Sequence, residues 1–154
     1  MRREKLKVIV PAVEVAEHGQ YILDEQTGFL MRIALQRMTA IFAARMIEAL
    51  TPTQFFALAK LAEVGPCSQN HLGRLIHLDA ATIKGVVDRL VTRGFVTSLN
   101  DPHDRRRRAV ALTDRGDLVT QAAAFVAKEI SATALASLTE EERRTLAGLL
   151  KKIG

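Results

Sequence analysis

The stretch SQNHLGRLIHLDAATIKGVVDRLVTRGFVTSLNDPHDRRRRAVALT, residues 68–113, decides the fold. Ser68 is a capping residue ahead of a short helical run that reaches about His77. Asp79 caps a second run over residues 80–93, and Gly94 ends it as a C-terminal glycine. Within that run Ile83, Val86, Val87, Leu90 and Val91 fall at i, i+3, i+4, i+7 and i+8, the spacing of one buried helix face. Phe95–Leu99 reads as a strand, Asn100–Arg106 as a polar turn, and Arg107–Leu112 as a second strand with Val110 and Leu112 inward. Two short helices joined across a tight link at Leu78-Asp79, with a hairpin directly after, is the order of a winged helix-turn-helix.

The outward face of the second helix presents Ala81, Thr82, Lys84, Gly85 and Asp88. Small and polar side chains suit a helix that slides into a major groove and reaches base edges. The same composition also describes the solvated face of an ordinary amphipathic helix. The hairpin separates these readings. His103-Asp104-Arg105-Arg106-Arg107-Arg108 sets four consecutive arginines at a turn, and strand alternation directs only some of them outward. Guanidinium groups bind phosphates and enter narrow minor grooves, so Arg105, Arg106 and Arg107 are candidate DNA contacts. Asp101 and Asp104 are expected to hold the turn and orient the neighbouring arginines.

Outward from this module, residues 1–20 keep no steady period, contain Pro11 and Gly19, and read as an arm. Asp24–Leu50 reads as one long helix, with Phe29, Leu30, Ile33, Ala34, Met38, Ile41, Phe42 and Met46 spread around it. A helix apolar on several sides needs burial on several sides, which points to a second subunit. Thr51-Pro52-Thr53-Gln54 is a capping box with proline at the first helical position, and Gly65-Pro66 stops that helix near Glu63. After Thr113 a helix with the stripe Leu118, Ala122, Phe125 and Val126 runs to about Leu135. Thr139 with Glu142 is a second capping box, opening a last helix with Leu146, Leu149, Leu150 and Ile153 inside. The expected fold is mainly α with a small β-hairpin wing. Residues 1–50 form an arm and dimerisation helix, 51–113 the winged helix-turn-helix domain, and 114–154 the C-terminal dimerisation helices.

Charge supports a polyanionic partner. The net charge is +5. Residues 66–115 hold 9 Lys/Arg against 5 Asp/Glu, whereas residues 1–65 hold 8 against 7 and residues 116–154 hold 5 against 5. Almost all of the excess therefore sits on the helix pair and hairpin. Single Cys67 forbids an internal disulfide and fits a reducing cytoplasm. Met1–Val10 lacks the apolar core of a signal peptide, and no run is long enough to span a membrane. There is no phosphate loop, no nucleophile elbow and no carboxylate pair in an expected cleft, so neither an enzyme nor a cofactor is expected. His18, His71, His77 and His103 lack metal-ligand spacing, His71 and His77 sitting six apart on different helix sides.

Asp101-Pro-His-Asp-Arg-Arg followed by Val110-Ala-Leu-Thr-Asp-Arg-Gly116 resembles the wing signature of the MarR family of transcription regulators. Asp88-Arg-Leu-Val-Thr-Arg-Gly-Phe-Val96 is similar to the end of that family's recognition helix and its first wing strand. The likeness runs in order over about Asp24–Gly154 and departs at His103, where the family often has arginine. It implies a triangular homodimer, with first and last helices intertwined and each winged domain on half of a pseudo-palindromic operator. By motif position Thr82, Lys84 and Gly85 would face bases, Ser68, Gln69 and Asn70 would lie near phosphates, and Arg105 or Arg106 would probe the minor groove. Arg89 would be a structural partner of a wing carboxylate rather than a base reader.

The resemblance also implies a small aromatic or phenolic effector bound between the dimer helices and the winged domain. Met31, Leu35, Met38, Phe42, Phe55 and Phe56 are candidate lining, with Arg32, Arg37 or Arg45 for a carboxylate. The same residues serve equally as core packing and surface charge. The region Asp24–Ala81, with Thr51-Pro-Thr-Gln-Phe and Cys67-Ser-Gln-Asn, looks closest to members controlling aromatic-acid degradation, some of which sense a coenzyme A thioester. Two alternatives to a ligand-released repressor stay open: a redox-responsive regulator using Cys67, and a helical interaction module that does not bind DNA.

Overall fold

A computed structural model describes residues 21–100 and 108–154 of the chain. The expected arm (residues 1–20) and the turn carrying Asp101, His103, Asp104, Arg105, Arg106 and Arg107 lie outside the described residues. The order is α1 (Thr27–Arg45), α2 (Pro52–Val64), β1 (Cys67–Ser68), α3 (Gln69–Leu75), α4 (Ala80–Thr92), β2 (Val96–Asn100), β3 (Arg108–Leu112), α5 (Asp114–Ala134) and α6 (Glu140–Ile153). Short 3-10 turns at Leu23–Glu25 and Ile47–Ala49 flank α1.

The helix expected over Asp24–Leu50 is therefore broken twice. Gln26 and Met46 adopt extended backbone, leaving Asp24 and Glu25 in the preceding 3-10 turn rather than at the start of α1. Beyond Met46, Glu48 (φ 53°) and Ala49 (φ 45°) are left-handed, a region that L-residues seldom occupy. Met46 and Leu50 are buried on either side of this joint. Their burial turns the chain sharply inward, which apolar periodicity alone does not reveal.

Local signals elsewhere produce their elements. In α2 the Thr51 hydroxyl accepts from the Gln54 N–H while Gln54 reaches back to the Thr51 N–H, completing the box, and Gly65 (φ 76°) closes the helix. The equivalent box of Thr139 and Glu142 opens α6. Cys67–Ser68 adds a short strand that the sequence reading missed, giving an antiparallel sheet in the order β1-β3-β2. Cys67 lies opposite Val110, and Val96 opposite Leu112.

The core gathers Leu58 and Leu61 of α2, Leu72 of α3, Ile83, Val86, Val87 and Leu90 of α4, Phe95, Val96, Val110 and Ile130. The α4 stripe is as expected except for Val91, which is exposed. On α5 only Val126 of the expected stripe packs against the core, and Leu118, Ala122 and Phe125 face outward. Leu118 and Phe125 are each 68% exposed, and the buried face runs through Gly116, Thr120, Ala123 and Ile130. Small residues there let α5 lie close against α1 and α2. Nor is the apolar face of α6 inside one chain: Leu149 (54%), Leu150 (47%) and Ile153 (68%) are all open, and Leu146 is only half-buried. No described helix is long and apolar enough to cross a membrane.

Candidate nucleic-acid interface

Two close approaches build the helix pair. At Gly73 an added Cβ would meet Ile83 Cγ2 at 3.0 Å and the Leu78 carbonyl at 3.1 Å, so α4 seats directly on α3. The Leu78 N–H donates to the Gly73 carbonyl at 2.9 Å, and His77 takes φ 56° to make the turn. Helix α3 ends at Leu75, so His77 lies beyond it rather than on one of its sides. Among the described residues no group of three or more His, Cys, Asp or Glu is arranged to hold a metal ion.

With its stripe buried, α4 turns Ala81, Thr82, Lys84, Asp88 and Arg89 to the exterior and leaves Gly85 half-buried. Asp79 accepts the Thr82 N–H on Oδ1 (2.8 Å) and the Thr82 hydroxyl on Oδ2 (2.7 Å). These bonds hold the Asp79 carboxyl below its ordinary value. Lys84 Nζ lies 2.6 Å from Asp88 Oδ2. An exposed i,i+4 pair of this kind is worth about 0.3–0.5 kcal/mol. Good base contacts are worth about 1–3 kcal/mol of discrimination against the wrong base, well above that cost, so the pair with Asp88 does not hold Lys84 back from a base edge. The Arg89 guanidinium lies over Gly85, where a Cβ would stand 3.6 Å from it. Asp79 and Asp88 offset Lys84 and Arg89, so these four exposed groups leave the outward face of α4 with no net charge.

Ser68 and Asn70 are exposed and Gln69 half-buried at the start of α3, where the Ser68 hydroxyl accepts the His71 N–H at 3.2 Å. Cys67 is half-buried against β3, and burial pushes its thiol up from the ordinary value. That direction opposes thiolate formation and favours a packing role over peroxide sensing.

The wing is anchored tightly at its base. The Thr113 N–H donates to the Phe95 carbonyl (3.0 Å), the Thr113 hydroxyl to the Gly94 carbonyl (2.7 Å), and the Gly116 N–H to the Thr113 hydroxyl oxygen (2.9 Å). A Cβ at Gly116 would stand 1.8 Å from the Phe95 oxygen. Only glycine fits where α5 meets the start of the wing.

A shallow groove of about 540 Å³ lies between α2, α5 and the start of α6, lined by Phe55, Ala124, Ala127, Lys128, Leu135 and Arg143 among others. Of the expected lining set, Phe55 alone borders it. Phe42 and Phe56 flank Phe55 at centroid separations of 6.1 and 5.9 Å, and Met38 packs against the core. Met31, Arg32, Leu35 and Arg37 are exposed along α1 and do not border the groove. Arg32 donates to Gln36 and stacks over Phe29, while Arg45 donates to Thr133 at 2.5 Å. The cations at the groove are Lys128 and Arg143, neither of which the sequence reading singled out.

Against this geometry, the MarR family model matches residues 50–107. The HTH-type transcriptional repressor NicR of Pseudomonas putida is 38% identical over 96% of this chain and 94% of its own. This chain is a MarR-family transcription regulator. A crystal structure of a Pseudomonas aeruginosa protein, 49% identical, covers 86% of the regulator and all of that chain, with TM-score 0.83. Bordetella bronchiseptica BpsR, whose DNA binding is regulated by 6-hydroxynicotinic acid, is 34% identical with TM-score 0.82, over 88% of the regulator and 97% of BpsR.

A second cluster of the regulator, not evident from its sequence, lies at the base of the wing. Arg93 and Arg115 stack on buried Phe95, at 4.6 and 4.9 Å from its centroid, and both reach Glu48. Glu48 had no motif around it; only the backbone turn brings it there.

Proposed function

We propose that the regulator is a homodimeric, cytoplasmic repressor that holds a pseudo-palindromic operator and is released by a small aromatic or heteroaromatic carboxylic acid. The observation that carries this reading is the outward face of α4, whose Ala81, Thr82 and Lys84 stand open to solvent while its other face is locked in the core. A helix so presented is free to enter a major groove, with half-sites roughly one helical turn apart. Ser68, Gln69 and Asn70 approach phosphates, and Arg105, Arg106 and Arg107 supply the positive charge that the face of α4 lacks.

A second copy covers the open apolar faces of α1 and α6. Burying the half to two-thirds of Leu149, Leu150 and Ile153 that is still exposed contributes about 1–2 kcal/mol each, a drive to associate. The relatives are regulators, and the chemistry assigned to this chain is recognition, with no catalytic step. The effector reading draws support from BpsR and from the groove, where apolar walls take a ring and Lys128 with Arg143 take its carboxylate. A coenzyme A thioester of such an acid keeps the ring but has no carboxylate; its carbonyl would face Lys128 and Arg143 while the coenzyme arm extends through the open side. Effector binding favours a dimer whose recognition helices no longer match adjacent major grooves; a coupling of about 1–3 kcal/mol, roughly 5- to 150-fold in affinity, is enough.

Fluorescence anisotropy against flanking-promoter and random DNA across a salt series tests the reading. Preferential, steeply salt-dependent binding that 6-hydroxynicotinate or benzoate weakens supports it. Equal affinity for both DNAs rejects the operator, and indifference to every ring acid rejects the effector. Lys128→Ala should blunt release by the acid while leaving operator affinity alone.

A further inference from the structure

The joint between α1 and α2 holds one carboxylate that reaches three parts of the fold. Arg93, at the C-terminal end of α4, donates from Nη2 to the Glu48 carbonyl and lies 3.4 Å from its Oε2. Arg115, in the first turn of α5, approaches the same Oε2 at 3.9 Å and donates from Nη1 to the Arg93 carbonyl at 3.3 Å. Both guanidinium groups rest on the ring of Phe95, which is fully buried. Glu48 itself stands at φ 53°, held between the buried anchors Met46 and Leu50.

Two guanidinium groups on one ring repel each other, and among the described residues Glu48 places a counter-charge within 4 Å of both. Neutralising it leaves like charges facing each other at the corner where α4, the wing base and α5 meet. Separation of that pair moves the end of α4 relative to α1. Stability is not the evident purpose, because Arg93, Glu48 and Arg115 are 30%, 39% and 63% exposed, and pairs so placed add little to folding. A strained, non-glycine turn kept in register by two arginines is better explained by the position it fixes.

We infer that Glu48 is a positioning residue for operator binding: through Arg93 and Arg115 it fixes the recognition helix and wing relative to α1, and so sets the spacing between half-sites. The inference rests on the homodimeric operator-binding reading above. On a dimer, a small rotation at this joint acts twice, once on each recognition helix, so the effect appears in spacing preference rather than in base preference.

The test measures affinity of the full chain for its operator and for variants with one base pair inserted or deleted between half-sites. Wild type should peak sharply at one spacing. Glu48→Gln keeps shape and removes charge; it should weaken the preferred operator by about 3- to 20-fold and flatten the spacing profile, with dimerisation unchanged. Glu48→Asp should recover part of the profile, because it restores charge at shorter reach. Should Glu48→Gln fail to fold, Arg115→Gln carries the test, since Arg115 is the most exposed member, and it should flatten the profile more weakly. A Glu48→Gln protein with wild-type affinity and an unchanged profile overturns the inference alone. Absence of any preferred site in wild type overturns both this inference and the reading beneath it.

Discussion

The hydroxyl of Thr82 donates to Asp79 Oδ2 at 2.7 Å, while the Thr82 N–H donates to Oδ1 of the same carboxylate at 2.8 Å. An ionised carboxylate only accepts, so the direction of the hydroxyl bond is fixed. Toward solvent Thr82 therefore shows lone pairs and a methyl group, and no free proton. Such a surface matches the amino group of adenine or cytosine or the methyl of thymine, and mismatches guanine, whose major-groove edge is all acceptor. Thr82→Val keeps shape and methyl but loses the lone pairs, and should weaken the preferred site by about 1 kcal/mol, roughly 5-fold. Asp79→Asn still caps α4, yet its amide can donate to the Thr82 oxygen and free the hydroxyl proton. Selection from a randomised operator library should then move toward guanine at one position per half-site. An unmoved preference in both variants removes Thr82 from base reading.

The same carboxylate sets an acid limit. Hydrogen bonds from Thr82 hold the Asp79 carboxyl below its ordinary value, and those from Thr139 do the same for Glu142. A depressed folded-state value means that the capping contribution is complete above the ordinary carboxylate range. It is lost as pH falls through the lower folded-state values. Far-UV circular dichroism should show helix loss beginning only below that range. Asp79→Asn and Glu142→Gln should each shrink that acid-dependent loss. An acid limb identical in both variants and wild type would exclude the two caps as its source.

Glycine contacts give a sharper stability contrast. Gly116→Ala drives a Cβ into the Phe95 carbonyl at 1.8 Å, and backbone on both sides cannot yield. Its cost should reach about 3 kcal/mol. Gly73→Ala meets the Ile83 methyl at 3.0 Å and the Leu78 carbonyl at 3.1 Å, contacts that a small shift of α4 relieves, and should cost about 1–2 kcal/mol. Urea denaturation at one fixed protein concentration ranks them. Equal midpoints would contradict the packing described.

Much of this was legible because it is written locally. Ser68, Asp79, Thr113 and Thr139 accept from backbone N–H groups within their own first turns, so their role depends on neighbours three residues away. The buried stripe of α4 follows equally from spacing. The joint at Glu48 and the pairing of Cys67 with Val110 were not legible, since each depends on residues more than forty positions distant. The α5 face was misread for a different reason. Its packing side is built from Gly116, Thr120 and Ala123, whereas the large apolar Leu118 and Phe125 lie on the opposite side. Small side chains mark a close helix contact, which hydrophobicity alone does not report.

Charge on the wing should be separable from contacts on α4. With Asp79 and Asp88 offsetting Lys84 and Arg89, in the proposed reading phosphate neutralisation falls largely to the wing arginines. Arg106→Ala should lower affinity similarly for specific and random DNA and reduce the slope of log K against log salt by about 0.9, the value for one phosphate contact. Lys84→Ala should instead reduce discrimination between operator and random DNA, with a smaller change in slope. Dimerisation should be unaffected in both. An unchanged affinity and slope in Arg106→Ala would exclude it from the wing contact.

The exposed side of α6 supplies a final test. Leu149, Leu150 and Ile153 follow the capping box at Thr139 on a helix with no buried residue, and Lys151 and Lys152 occupy its last turn. An amphipathic helix with its apolar side open gains little from its own chain, so its stability depends on association. Leu149→Glu with Ile153→Glu should shift sedimentation from dimer to monomer at micromolar concentration. The helical signal of α6 should fall at the same time. Operator affinity should drop far more than affinity for a single half-site, because one winged domain can still engage one groove while the second is no longer tethered. A double variant that sediments as a dimer, with full operator affinity, would show that α6 does not form the subunit contact.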